Sequence, residues 1–351
     1  MTIGASLPTT ELTRRRALLQ LGAAVGAILI AGKLHAQSDD KIKVAAVYTV
    51  PIGQPWASRV HKALVLARTR GEIDYLYSEN ILPENYEATM RKYARQGVQL
   101  IIGEAFSSES SVYRIAKEYP NIAFLVGSTN RPQQPNLSVF NNYIQEPVYL
   151  AGMLAGGMSR TGTIGLIACD PIPGINRLLH AFMDGVREIN PDAKFLLTFI
   201  HSRFDPLKAK QAALSQIDQG ADVLYAEHFG AAEAAEQRGK LIISNIVDMQ
   251  AQYPDTVISS AVWDMAPTIE RALTMVKRGT FKADDYGKYS QMRYQGAMLA
   301  PLGTFKDKVP SALIARVEAR QQTMLDGRFT IKLNDAPLSP TGRSATQMSG
   351  K

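Results

Sequence analysis

From residue 43 onward, short apolar runs alternate with amphipathic stretches, and that alternation restricts the chain to an α/β architecture. "KVAAVYTV" (43–50), "LIIGEA" (100–105), "AFLVGS" (123–128), "GTIGLIA" (162–168), "KFLLTFI" (194–200), "VLYAE" (223–227) and "LIISNI" (241–246) read as strands. They are almost continuously apolar, as strands covered by helices on both faces must be. Between them, "NYEATMRKYARQG" ends at Gly97 and "DPLKAKQAALSQIDQG" at Gly220, where glycine lets a chain leave its helix in the left-handed conformation. Repeated strand–helix units predict doubly wound parallel sheets. About ten strands are too many for one small sheet, and 351 residues suffice for one large or two medium domains.

An internal echo bears on the same point. "RQGVQLIIGEAF" (95–106) and "DQGADVLYAEHF" (218–229) share a helix-ending Gln-Gly, an apolar strand, a Glu and a Phe. Glu104 corresponds to Glu227 and Phe106 to Phe229. Either all βα units look alike, or two similar lobes aim the carboxyl ends of their sheets at a shared cleft, where ligands of open α/β sheets bind. The length favours two lobes.

The first 36 residues have a different character. "TRRRALLQLGAAVGAILIAGKLHAQ" carries three arginines, an apolar run from Ala17 to Ala31 and a small-residue site ending at Ala36. This pattern predicts a secretory signal peptide, residues 1–36, cleaved after Ala36. The apolar run, roughly 15 residues against the roughly 20 of a membrane span, is short for an anchor. Arg14-Arg15 after Thr13 allows twin-arginine export as well as the general route. The single cysteine, Cys169, rules out an intrachain disulfide and cannot be a lipid-bearing residue behind a signal peptide. A periplasmic location is expected. The formal net charge is +7, of which Arg14, Arg15, Arg16 and Lys33, against Glu11, supply part; +4 remains beyond residue 36, without a run of like charges. No nucleic-acid surface is predicted. The end, "NDAPLSPTGRSATQMSGK" (334–351), is rich in Pro, Ser, Thr and Gly and reads as a loose tail.

Sequence signatures of catalysis are missing. There is no GxSxG, HExxH, Walker loop, GxGxxG or CxxC, and the five histidines are dispersed without metal-ligand spacing. His228 follows a strand and can reach a cleft, whereas His61 and His180 fall within helical patterns. Cys169 also follows a strand; it reads as a buried thiol, and a nucleophilic role would need a base beside it in the fold. No cofactor or metal is expected. The turn "YTVPIGQPWASR" (48–59) is unusual because it carries Trp56, one of two tryptophans. Trp56 either faces a cleft as an indole plate or caps the first helix and packs inward.

The segment "CDPIPGINRLLHAFMDGVREINPDAKFLLTFIHSRFDPLKAKQAALSQIDQGADVL" (169–224) closely resembles the BMP (basic membrane protein) family. These are substrate-binding proteins of ABC importers whose best-known ligands are purine nucleosides and nucleobases. Pro171-Ile172-Pro173, "AFMDGVREINPDA" (181–193), "RFDP" (203–206) and "DQGADV" (218–223) carry the likeness, preceded by "EPVYLAGMLAGGMSRTGTIG" (146–165). The resemblance runs from about residue 42 to about residue 310. It implies an α/β type I periplasmic-binding-protein fold, two Rossmann-like lobes joined by a three-strand hinge, with crossovers near Asn141, Ser260 and Gln295. The N-terminal lobe would comprise 42–141 plus 261–295 and the C-terminal lobe 142–260 plus 296–333.

The resemblance also implies a site. Trp56 matches an aromatic that follows the family's first strand, and Trp263 stands where nucleoside-binding relatives place a ligand-contacting polar residue. Two indoles at those positions would bracket a flat ring, and stacking of that kind is worth roughly 1–3 kcal/mol per base in nucleic-acid sites. Phe106 and Phe229 are further aromatic candidates, with packing beneath the strand ends as the other reading. Asp248 matches the second acid of the family's G-x-D-S-D loop; Ile246 replaces the first, with Asn245 beside it. Asp170 and Glu227 complete the expected ligand-binding set, since carboxylates accept from ring N–H and amino groups; surface ion pairs are the other reading for Glu104, Asp170 and Glu227. The function implied is a monomeric periplasmic solute-binding protein that passes a purine-like heterocycle to an ABC permease in the inner membrane, without catalysis. Two alternatives stay open: a binding protein that feeds a chemoreceptor or kinase, and a periplasmic nucleoside hydrolase or lyase that would use Asp170, Asp248 or Cys169.

Overall fold

The computed structural model describes residues 41–106 and 108–338. The expected signal peptide and the last residues of the expected tail lie outside the described residues. Two sheets organise residues 42–338. The first has the order β2-β1-β3-β4-β5, built from β1 (Ile42–Val47), β2 (Ile73–Ser78), β3 (Leu100–Glu104), β4 (Ala123–Gly127) and β5 (Leu137–Phe140), all parallel. The second has the order β11-β10-β9-β8-β6-β7, with β6 (Thr163–Ala168), β7 (Lys194–Phe199), β8 (Val223–Ala226), β9 (Leu241–Ile246), β10 (Val257–Trp263) and β11 (Ala297–Leu299). Only β11 is antiparallel to its neighbour.

Helices cover both faces of each sheet, which is why β3 and β4 are buried along their whole length. α1 (Pro55–Thr69) lies on one face of the first sheet, and α2 (Pro83–Arg95) and α3 (Glu109–Glu118) on the other. On the second sheet, α4 (Gln145–Met158), α5 (Pro173–Ile189) and α9 (Ser311–Leu325) oppose α6 (Pro206–Asp218) and α7 (Ala231–Gln237). α8 (Ala266–Lys277) follows β10 yet packs against α1 of the first sheet. α2 and α6 end as their glycines predict: Gly97 has φ +73° and Gly220 φ +100°.

The "LAGMLAGG" pattern of α4 has a packing cause. A Cβ on Gly152 would stand 2.2 Å from the Phe182 carbonyl oxygen of α5, and one on Gly185 would stand 2.0 Å from the Tyr149 carbonyl oxygen of α4. The two backbones touch, and only hydrogen can fill the gap.

The chain passes between the sheets three times. β5 leads through residues 141–144 into α4; β10 leads through Asp264 and Met265 into α8; and residues 295–296 return the chain to β11. The second crossing falls beyond Ser260, because β10 is prolonged to Trp263 by its pairing with β11. This arrangement is the α/β, two-lobed type I periplasmic-binding-protein fold.

The first described residues of the expected loose tail are held, a correction to that reading. Asp335 takes a two-pronged hydrogen bond from Arg177 at 2.8 and 2.9 Å, the Ala336 carbonyl lies 3.0 Å from His180 Nε2, and Leu338 is buried. Polar composition concealed these anchors because they are specific pairings with α5 rather than apolar periodicity.

Candidate functional site

A cavity of about 90 Å³ lies between the two sheets, at the carboxyl ends of their parallel strands. The first sheet contributes Val50 and Gln54 after β1, Trp56 at the start of α1, Glu104 and Phe106 around the end of β3, and Thr129 after β4. The second contributes Cys169 after β6, Ile172 and Ile175 near the start of α5, Arg203 after β7, Glu227 and His228 after β8, and Ile246 at the end of β9. Asn141 and Asn142, on the first crossing, close one side. The wall sits where open α/β sheets bind ligands, because strand ends there are free of crossover helices.

Trp56 lines this cleft, but most of it belongs to the interior. It is 8% exposed, its ring stacks on Phe140 at 5.4 Å and 12°, and it meets Trp263 at 5.3 Å. Phe106 stands edge-on to it at 5.7 Å and is half-buried, so its ring is the more open aromatic surface. The Trp56 indole N–H has no hydrogen-bond partner among the described residues.

Trp263 does not reach the cleft. It is fully buried beneath Trp56, and its Nε1 donates to Ser290 Oγ at 2.9 Å, whose hydroxyl donates to the Asn141 carbonyl at 2.8 Å. The two indoles therefore pack together where the lobes join instead of bracketing a guest. Three further expectations are corrected by placement. Phe229 packs on the cluster beneath α6 and α7. Asp248 is exposed and turned to a separate groove, where Ser260 Oγ donates to it at 2.9 Å. Asp170 stands at the rim, 2.9 Å from His201 Nδ1, and does not line the cavity. Each lies near a strand end, but the direction of the following turn carries it elsewhere.

Glu227 and Asn245 come together. Ala226 pairs with Ser244, so the next residues stand side by side, and Asn245 Nδ2 donates to Glu227 Oε1 at 3.0 Å. Asn245 itself does not line the cavity and acts through Glu227. Burial raises the Glu227 carboxyl to about 7, with the Asn245 bond pulling the other way. Burial lowers His228 to about 4, so this imidazole is neutral near pH 7; its Nε2 is buried and unpartnered among the described residues. Burial pushes the Cys169 thiol up to about 12, and the described residues place no imidazole in hydrogen-bonding contact with it, which makes it a poor nucleophile.

Across the cleft, Glu104 is tied to its own lobe: the Thr49 N–H donates to Oε1 at 3.0 Å, and the Thr49 hydroxyl bonds the same oxygen. Arg203 reaches over from the other lobe. Its Nη1 is 3.5 Å from Glu104 Oε2, its guanidinium lies 5.3 Å from the centre of the Phe106 ring, and its carbonyl accepts from Gln54 Nε2 at 3.3 Å. Arg203 escaped the sequence reading as a site residue, although it follows β7 within "RFDP" and the strand-end rule would have found it. Ile246 is a second omission. Its φ of +68° is left-handed, unusual for a β-branched residue, and such backbone strain, of order 1–3 kcal/mol, concentrates at functional sites.

Among the described residues no three His, Cys, Asp or Glu side chains converge as a metal site, and no helix is long and apolar enough to cross a membrane. Two lobes around a cleft that both sheets line with apolar and polar side chains have the architecture of the type I periplasmic-binding proteins. Residues 41–289 match the Bmp family of PnrA-like ABC transporter substrate-binding proteins, and the chain belongs to that family. The chain is 29% identical to a purine-binding protein of Brucella abortus over 306 residues, 85% of each chain. It is also 29% identical over 252 residues, 70% of this chain and 64% of the other, to a putative ABC transporter glucose-binding protein of Haloferax volcanii. An ABC transporter solute-binding protein of Aeropyrum pernix has the same fold, with TM-score 0.73 and 18% identity over 84% of this chain and 94% of that one.

Proposed function

We propose that this protein is the periplasmic solute-binding component of an ABC importer and that its cargo is a small planar heterocycle of the purine class. The observation that carries this reading is the character of the cleft wall. Val50, Trp56, Phe106, Ile172, Ile175 and Ile246 give it apolar and aromatic faces, and polar side chains such as Gln54, Asn141, Asn142, Arg203 and Glu227 stand among them. A flat ring with polar edges suits such a wall, its faces against the aromatic and aliphatic side chains and its edges towards the polar ones. The likeness to a purine-binding relative supports the same choice over the likeness to a putative glucose-binding one.

The volume favours a compact guest. About 90 Å³ is small beside the roughly 300–1,000 Å³ of common ligand pockets. The lobes, taken as 42–141 plus 264–295 and 142–263 plus 296–333, close about the three crossings, and ligand contacts from both lobes favour the closed form. The N-terminal sequence supports export to the periplasm. The monomer presents its closed shape to the inner-membrane permease, and no step of catalysis is involved.

Isothermal titration calorimetry of the mature protein with purine bases, purine nucleosides, pyrimidines and glucose tests the reading. A purine base is expected to bind at micromolar Kd or better, with nucleosides weaker. Binding of glucose without any binding of heterocycles would overturn it.

A further inference from the structure

The second lobe's side of the cleft holds a carboxyl group whose hydrogen bonding is half complete. Glu227 follows β8, is 7% exposed and lines the cavity. Asn245, beside it on β9, donates to Oε1 and so fixes how the carboxyl is turned. Among the described residues no donor meets Oε2. Oε2 is left free to accept from a group that enters the cavity.

We propose that Glu227, oriented by Asn245, determines specificity by accepting a hydrogen bond from a ring N–H of the bound heterocycle, so that the protein selects ligands presenting that donor. The proposal rests on the heterocycle reading above and assigns that site its polar discriminator. The neighbouring groups leave the role to Glu227. After β6, Cys169 is a neutral thiol and Asp170 is occupied by His201. On β8 and beyond it, burial keeps Tyr225 protonated and His228 neutral. Arg203, after β7, is engaged with Glu104 of the opposite lobe. Among the described residues no cation is thus committed to Glu227, and its charge changes in the neutral range. A ligand N–H favours the ionised carboxyl, which accepts, over the protonated one. Binding below about pH 7 should therefore release a proton, and affinity should rise as Glu227 ionises.

The test is calorimetric titration of hypoxanthine and its 1-, 7- and 9-methyl derivatives into the parent and Glu227→Gln, each from about pH 6 to 8. Hypoxanthine should bind the parent roughly ten-fold more tightly at the upper pH than at the lower, with proton release shown by buffers of different ionisation enthalpy. One methyl derivative should lose roughly ten- to hundred-fold in affinity, the scale of a hydrogen bond to a charged group. In Glu227→Gln the pH dependence should vanish, the affinity for hypoxanthine at pH 8 should fall about ten-fold, and melting should stay cooperative. Equal affinity in parent and variant at pH 8, equal pH slopes, or a slope of opposite sign would overturn the assignment while leaving the heterocycle reading intact. Failure of every heterocycle in the wider panel to bind the parent would overturn that reading and this assignment with it.

Discussion

Glu227 shows what a binding site costs the residue that serves it. Its carboxyl, ordinarily near 4.5, rises to about 7 through burial. The folded state then holds the proton more tightly than the unfolded one. The resulting contribution to stability is complete below about pH 4.5 and is lost as the pH rises through 7. At pH 8 the ligand-free protein carries a desolvated charge that opposes folding. Glu227→Gln removes that charge, so it should raise the melting temperature of the ligand-free protein at pH 8. The difference from the parent should shrink towards zero as the pH is lowered to about 4.5. Scanning calorimetry at the two pH values checks this, and an identical offset at both would show that burial of the charge is not the cause. Trp56 illustrates the opposite case. Its ring serves the interior first, since truncating a buried Trp costs about 3–5 kcal/mol, so lost binding in Trp56→Ala would reflect core damage as much as lost stacking.

At the scale of elements, the segment between β7 and α6 links the two lobes across the cleft. Arg203 meets Glu104, Phe106 and Gln54, all from the other lobe. Its side chain is 36% exposed, so the ion pair is partly screened and worth no more than about 1 kcal/mol. The guanidinium over Phe106 adds about 0.5–1 kcal/mol. Arg203→Ala should therefore weaken ligand binding by roughly ten-fold or less, through faster dissociation rather than slower association. Stopped-flow fluorescence separates the two rates, and an unchanged dissociation rate would show that Arg203 does not hold the lobes together. The Trp56–Trp263 contact is a different link. It lies at the crossings rather than the mouth, and both rings stay buried there.

For the whole molecule, closure and stability are joined through mass action. A ligand that binds only the folded protein stabilises it by about 2.7 kcal/mol at one hundred times its Kd. At roughly 2–4 °C per kcal/mol for a chain of this general size, saturating ligand should raise the melting temperature by several degrees. Small-angle scattering should show a smaller radius of gyration with ligand than without. A melting shift without compaction would mean that the guest enters lobes already shut, and the hinge would then have no part in capture.

Strand–helix alternation and the helix-ending glycines are local signals, and the chain alone carried them. A residue's period of burial depends on its own element and the layers over it, so the runs at 43–50, 100–105 and 241–246 were legible at once. β2 and β5 were not, since β2 (IDYLYS) mixes polar and apolar residues at a sheet edge and β5 has four residues. The cleft was legible only in part. Phe106, Glu227 and Trp56 stand at strand ends and line it, whereas Trp263, Asp248, Asp170 and Phe229 stand near strand ends and do not. What separates the two groups is strand register, the turn that follows each strand and the approach of a second lobe. Arg203 gains its meaning from Glu104, which lies in another sheet, and no local pattern records such a meeting. Tertiary structure decided it, because a contact between distant segments depends on how whole layers are placed.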